Sequence, residues 1–135
     1  LQAVVLKAKL ARLGRWNAER QAAAARYEQL LEGIEGVVTP STASGNVHVW
    51  HLYVVRVSRR DEVLREMANA GVGAGIHYPI PIHLLGAFSD LGHEPGAFPV
   101  AETAAAEILS LPIYPGITEA QQERVVESLR MAIGS

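Results

Sequence analysis

Two histidines, a tyrosine and two prolines fall within the nine residues Gly75-Ile76-His77-Tyr78-Pro79-Ile80-Pro81-Ile82-His83. Imidazole and phenol groups both donate and accept hydrogen bonds, and imidazole exchanges protons near neutral pH. Pro79 and Pro81 remove two backbone donors and hold φ at about −65°. They bias Tyr78 and Ile80 toward extended geometry, so the segment is neither a central strand nor a helix interior. Stiff, irregular backbone that carries polar rings suits a pocket wall, because little entropy is lost when a ligand is bound. The competing reading is a rigid loop with half-buried aromatic rings. No carboxylate lies near His77 and Tyr78 in sequence to orient them as an acid–base pair.

Other chemistries lack their residues. The chain has two lysines, Lys7 and Lys9, both near the N-terminus, and no cysteine. No G-x-S-x-G elbow is present, so the usual covalent nucleophiles are missing from the pocket-like part of the chain. No thiolate metal site and no disulfide framework can form, which fits a reducing cytoplasm. Neither H-E-x-x-H nor His-x-His occurs, and His48 and His51 are three apart, so no metal site is expected. The net charge of −2, with no basic cluster larger than Arg59-Arg60, gives no footprint for nucleic acid. No apolar run approaches the ~18 residues of a membrane span.

The 135 residues suffice for one domain with a true core. The charged fraction is 19%, below the roughly 25% typical of soluble domains, which leaves part of the surface for a partner. Ala3, Leu6, Leu10, Leu13, Asn17, Arg20, Ala24, Tyr27, Leu31 and Ile34 follow three- and four-residue steps, one face of a helix. Such a helix, of ~33 residues, is about 50 Å long, more than a small domain spans. Its first half therefore needs a neighbour outside this chain, and Gly33 or Gly36 ends it. A turn-rich loop at Pro40–Asn46 precedes a strand over Val47–Val57, apolar on both faces and so central, with His48 and His51 on opposite sides.

Ser58-Arg59-Arg60-Asp61 has capping-box spacing before a helix through Val63, Leu64 and Met67 that stops near Gly71. Val72, Ala74, Ile76 and Tyr78 alternate with Gly73, Gly75 and His77 as a second strand with a nearly bare face. A bare face admits a ligand or another backbone, or else marks a bulge. A short helix over Leu84–Leu91 and a loop over Gly92–Phe98 follow. Pro99 begins a helix carrying Val100, Ala104, Ile108 and Leu111. Leu111–Tyr114 reads as an edge strand. Thr118-Glu119-Ala120-Gln121 caps a last helix that buries Val125, Val126, Leu129 and Ile133. The order α-β-α-β-α-α-β-α makes an α+β fold, a small sheet of about three strands covered by helices, with a long N-terminal helix.

Several stretches resemble a known family. Leu1-Gln2-Ala3 is similar to the end of a motif read N-x-R-M-x-x-L-Q-A. Trp50-His51-Leu52-Tyr53-Val54-Val55-Arg56, the block from Gly75 to His83, and Leu109-Ser110-Leu111-Pro112-Ile113-Tyr114-Pro115 resemble the C-terminal third of the DegT-type nucleotide-sugar aminotransferases. The resemblance runs in order over essentially the whole chain. Gly86 stands where many relatives have proline. The resemblance implies the small domain of a fold-type I aminotransferase, with residues 1–35 as a long interdomain helix and 47–135 as the α+β core. It implies pyridoxal phosphate in the full-length enzyme, held with its Schiff-base lysine by an N-terminal cofactor domain absent from this chain. None is then expected to bind this chain alone, which should be inactive by itself. The resemblance further implies a cytoplasmic homodimer that moves an amino group, commonly from glutamate, to a keto sugar on a nucleotide. His77, Tyr78 and His83 would contact that substrate rather than carry out the proton transfers. The alternative is a free-standing α+β ligand-binding or regulatory module.

Overall fold

In a computed structural model, which describes residues 2–134, the chain forms one three-stranded antiparallel sheet backed by helices. Helix α1 spans Gln2–Leu31, β1 Val37–Val38, β2 Tyr53–Val57, α2 Arg60–Asn69, α3 Pro99–Glu107, β3 Ile108–Leu111 and α4 Glu119–Ile133. The strand order is β1-β2-β3. Val55 faces Leu109 and Val57 faces Val37 across the two ladders. Leu1, the first residue of the L-Q-A match, lies outside the described residues.

The core lies where one face of the sheet meets the helices. Tyr53, Val55 and Val57 of β2 pack with Leu109 and Leu111 of β3, Val63 and Met67 of α2, and Val125, Val126 and Leu129 of α4. Alternation explains the choice, since every second residue of a strand faces the same way. The second half of α1 adds Ala24, Tyr27 and Leu31. The Tyr27 hydroxyl donates to the Pro112 carbonyl at 2.7 Å, which ties α1 to the end of β3. Burial pushes the Tyr53 hydroxyl up to about 12 and that of Tyr27 higher still. Gln122 is buried and donates to the Ala23 carbonyl at 2.8 Å, joining α4 to α1. Arg60 is buried too; its guanidinium donates to the carbonyls of Ala105 and Ile108 at 3.1 and 2.9 Å and so satisfies the end of α3.

The expected elements are there with several changes. Helix α1 is continuous through Gly14, and Gly33 and Gly36, at φ 73° and 82°, turn the chain beyond its end. The capping box of α4 forms, with the Gln121 amide donating to Thr118 Oγ1 and the Thr118 amide to Gln121 Oε1. The one at Ser58 does not. Arg59 takes the left-handed conformation at φ 50° and precedes the helix with no side-chain cap, so α2 begins one residue late for a Ser58 cap.

The strand anticipated over Val47–Val57 starts only at Tyr53. Trp50, at φ 51°, turns the chain, and residues before it are exposed. His48 and His51 therefore lie outside any strand, and His48 Nδ1 accepts the Trp50 amide at 2.9 Å. Nor is β2 covered on both sides, since Val54 and Arg56 are only half-buried.

The Val72–Tyr78 strand reduces to a single bridge between Gly75 and Ser110. Two short 3-10 turns, Ile82–Leu84 and Gly86–Leu91, replace the helix over 84–91. Helix α3 stops at Glu107, so Ile108 and Leu111 belong to β3 and not to the helix, and Val100 is exposed. Pro112, which lacks a backbone donor, follows β3, so the edge strand is Ile108–Leu111 and not Leu111–Tyr114. The two-residue β1 gave no periodic signal.

Candidate functional site

Ser110 sits between Leu109 and Leu111 on β3, so its side chain points away from the core face those leucines share. It is nonetheless buried, 5% exposed. Its backbone exchanges two hydrogen bonds with Gly75, at 3.0 and 2.7 Å, which fixes the start of the histidine–proline segment against the outer edge of the sheet. Two residues on, His77 Nδ1 lies 2.9 Å from Ser110 Oγ. The His77 ring covers Gly75: a β-carbon there would stand 3.1 Å from His77 Cε1. Of the bare face read from the sequence, the part at Gly75 is thus occupied by the protein's own imidazole, while that at Gly73 stays open. The Tyr78 ring stands edge-on to that of His77 at 5.6 Å, and 74% of Tyr78 is open to solvent.

His83 belongs to a second group. Its side chain is 8% exposed, and Nε2 lies 3.1 Å from Glu102 Oε1. Glu102, in the first turn of α3, also accepts the amides of Gly96 at 2.9 and 2.8 Å and Phe98 at 3.1 Å. These backbone donors first, and His83 second, hold the Glu102 carboxyl below its ordinary range. The Phe98 ring packs on His83 at 4.8 Å and on His93 at 5.0 Å. The three candidate residues therefore divide: His77 and Tyr78 lie at the Gly75–Ser110 bridge, and His83 lies under the Gly92–Phe98 loop. Ser110, Glu102, His93 and Phe98 were not anticipated as parts of the site.

Around both groups the surface is apolar. Tyr78, Ile80, Ile82, Leu85, Phe88 and Leu91 are exposed. Hollows beside α1, which Arg26, Gln29 and Trp50 help to line, contain none of the three candidates. Among the described residues no three His, Asp or Glu side chains are placed to hold a metal ion, and no helix is long and apolar enough to cross a membrane.

Residues 1–130 match the model of the DegT/DnrJ/EryC1/StrS aminotransferase family, and the chain belongs to that family. It is 44% identical over 130 residues to the erythromycin biosynthesis sensory transduction protein EryC1 of Saccharopolyspora erythraea, covering 96% of this chain and 36% of that protein. It is 41% identical to a dTDP-3-amino-3,4,6-trideoxy-alpha-D-glucose transaminase of Streptomyces venezuelae, covering 96% and 34%. Its fold superposes on the crystal structure of S. venezuelae DesV in complex with a ketimine intermediate, with a TM-score of 0.94, 40% identity, and 99% and 36% of the two chains covered. It also superposes on a DegT DnrJ EryC1 StrS aminotransferase from Brucella abortus, with a TM-score of 0.88, 33% identity, and 99% and 35% covered. The chain thus spans about a third of the length of the relatives it matches.

Pyridoxal phosphate is the cofactor that the family implies for the full-length enzyme. Lys7 and Lys9 are both exposed on the first half of α1. Neither lines the hollows beside that helix.

Proposed function

We propose that this chain is the C-terminal part of a pyridoxal-phosphate-dependent aminotransferase that moves an amino group from glutamate to a keto sugar carried on a nucleotide. Residues 1–35 serve as the helix between domains and residues 47–135 as the small domain, while the cofactor and its lysine lie in a larger N-terminal domain. The assembled enzyme is a cytoplasmic homodimer. His77, Tyr78 and His83 wall the sugar side of the cleft. His77 and Tyr78 offer their polar atoms to sugar hydroxyls or phosphate oxygens, and His83, paired with Glu102, holds the loop behind them.

The observation that carries this reading is the histidine–proline segment itself. It is anchored through Gly75 to a buried sheet residue, yet its phenol is exposed. Two further features support it. The apolar first half of α1, with Val4 73%, Leu6 64% and Leu10 68% exposed, is suited to packing against a larger body. The relatives quoted above include a transaminase named for a dTDP-linked amino sugar.

The test is to produce the chain continuous with its upstream coding sequence and to assay amino transfer from glutamate to dTDP-linked keto sugars. Formation of the amino sugar nucleotide supports the reading. A cofactor-loaded protein that aminates no nucleotide-linked sugar overturns it.

A further inference from the structure

The geometry points to Ser110 and Gly75 as a built seat that fixes the direction of the His77 ring. Ser110 is a positioning residue, and a bare backbone at position 75 is part of its action. The inference rests on the reading that His77 meets the sugar nucleotide, and it adds the residues that decide how.

Ser110 is an odd residue for its place. It occupies a buried position on a strand whose neighbours are leucines, and its backbone groups are already used in the bridge to Gly75. A buried hydroxyl is costly without a partner. Its partner is His77 Nδ1 at 2.9 Å. The floor under the ring is Gly75, where a β-carbon would lie 3.1, 3.8 and 4.0 Å from Cε1, Nδ1 and Nε2 of His77. The first of these is closer than ordinary contact, so a side chain at position 75 requires the ring to shift by a few tenths of an ångström. The edge of Tyr78 closes a further side at 5.6 Å.

With Nδ1 engaged and one face covered, Nε2 is the nitrogen left for a ligand. A serine hydroxyl both donates and accepts, so the seat serves either neutral tautomer. The ring can then present Nε2 as a donor to a phosphate or carbonyl oxygen, or as an acceptor to a sugar hydroxyl, without leaving its place. Pre-set direction of this kind lowers the ordering cost of binding.

The seat can be tested without any ligand. Long-range 1H–15N NMR of the 135-residue chain reads the two ring nitrogens of each histidine. In Ser110→Ala the Nδ1 signal of His77 is expected to move, while the ring signals of His48, His51 and His93 stay. Gly75→Ala, which leaves the hydroxyl in place, is expected to move the same His77 signal and to weaken the contacts of the ring with Tyr78. His77 signals identical to wild type in both variants, with the fold intact, overturn the seat whatever the site binds.

The link to function is read separately, with dTDP-glucose as the probe and the chain continuous with its upstream sequence. Ser110→Ala is expected to weaken binding about fivefold, the scale of one neutral hydrogen bond. It is expected to add nothing in a His77→Ala background, because the two act as one unit. If the ring signals move and the affinity does not, the seat stands and the assignment of His77 to the sugar falls.

Discussion

Glu102 shows how one carboxylate can organise a loop. It accepts two backbone amides of the Gly92–Phe98 stretch and the ring of His83 at once, so neither loop nor ring is free to drift. Because these contacts favour the charged form, the carboxyl titrates lower in the folded chain than its unfolded value of 4.5. The sign follows: its stabilising effect is present above that value and is lost as pH falls through the lower folded one. The amide signals of Gly96 and Phe98 are therefore expected to titrate together below about pH 4.5, measured by NMR, and that step is expected to vanish in Glu102→Gln. Amides that titrate alike in both proteins contradict the assignment. His77, Tyr78 and His83 stood out in the sequence because rings and prolines crowd together there. Ser110 and Glu102 did not, because a serine between two leucines and a glutamate in a helix are ordinary neighbours. Only the pairing of β3 with Gly75, and the fold of the loop back over α3, bring them to those rings.

Local signals were legible where one stretch of chain settles its own geometry. The cap of α4 involves only Thr118 to Gln121, and its spacing alone announced it. Removing it with Thr118→Ala is expected to cost about 1 kcal/mol in urea unfolding; no change in the midpoint contradicts that. Ser58–Asp61 has the same pattern, but the left-handed turn at Arg59 and the burial of Arg60 against α3 override it. Valine alternation over Val47–Val57 promised a longer strand than forms, because the positive φ of Trp50 breaks the pleat. Helix α1 was legible over its whole length, yet its two halves differ. Ala24, Tyr27 and Leu31 are core, whereas Val4, Leu6 and Leu10 face solvent. That bare half is expected to drive self-association of the 135-residue chain, read by analytical ultracentrifugation, and Leu6→Lys with Leu10→Lys is expected to abolish it. A strictly monomeric wild-type chain with strong amide protection from Gln2 to Leu13 contradicts this.

At the scale of the whole molecule, one core joins the sheet to its helices. The sheet and three helices share a continuous apolar interior. Among the described residues, large apolar side chains stand exposed on the first half of α1 and from Tyr78 to Leu91, among other places. The chain spans about a third of the length of the relatives it matches. Lys7 and Lys9 are both exposed on α1. Pyridoxal phosphate added to the 135-residue chain is therefore expected to leave no stoichiometric absorbance band after dialysis. A surviving band that disappears in Lys7→Ala or Lys9→Ala contradicts that expectation. The most direct test of the central claim is to measure the two half-reactions in the protein continuous with its upstream sequence, comparing wild type with His77→Ala, Tyr78→Phe and His83→Ala. Weakened affinity for the sugar nucleotide is expected, with the glutamate half-reaction nearly intact. Loss of the glutamate half-reaction in His77→Ala while the cofactor stays bound contradicts it.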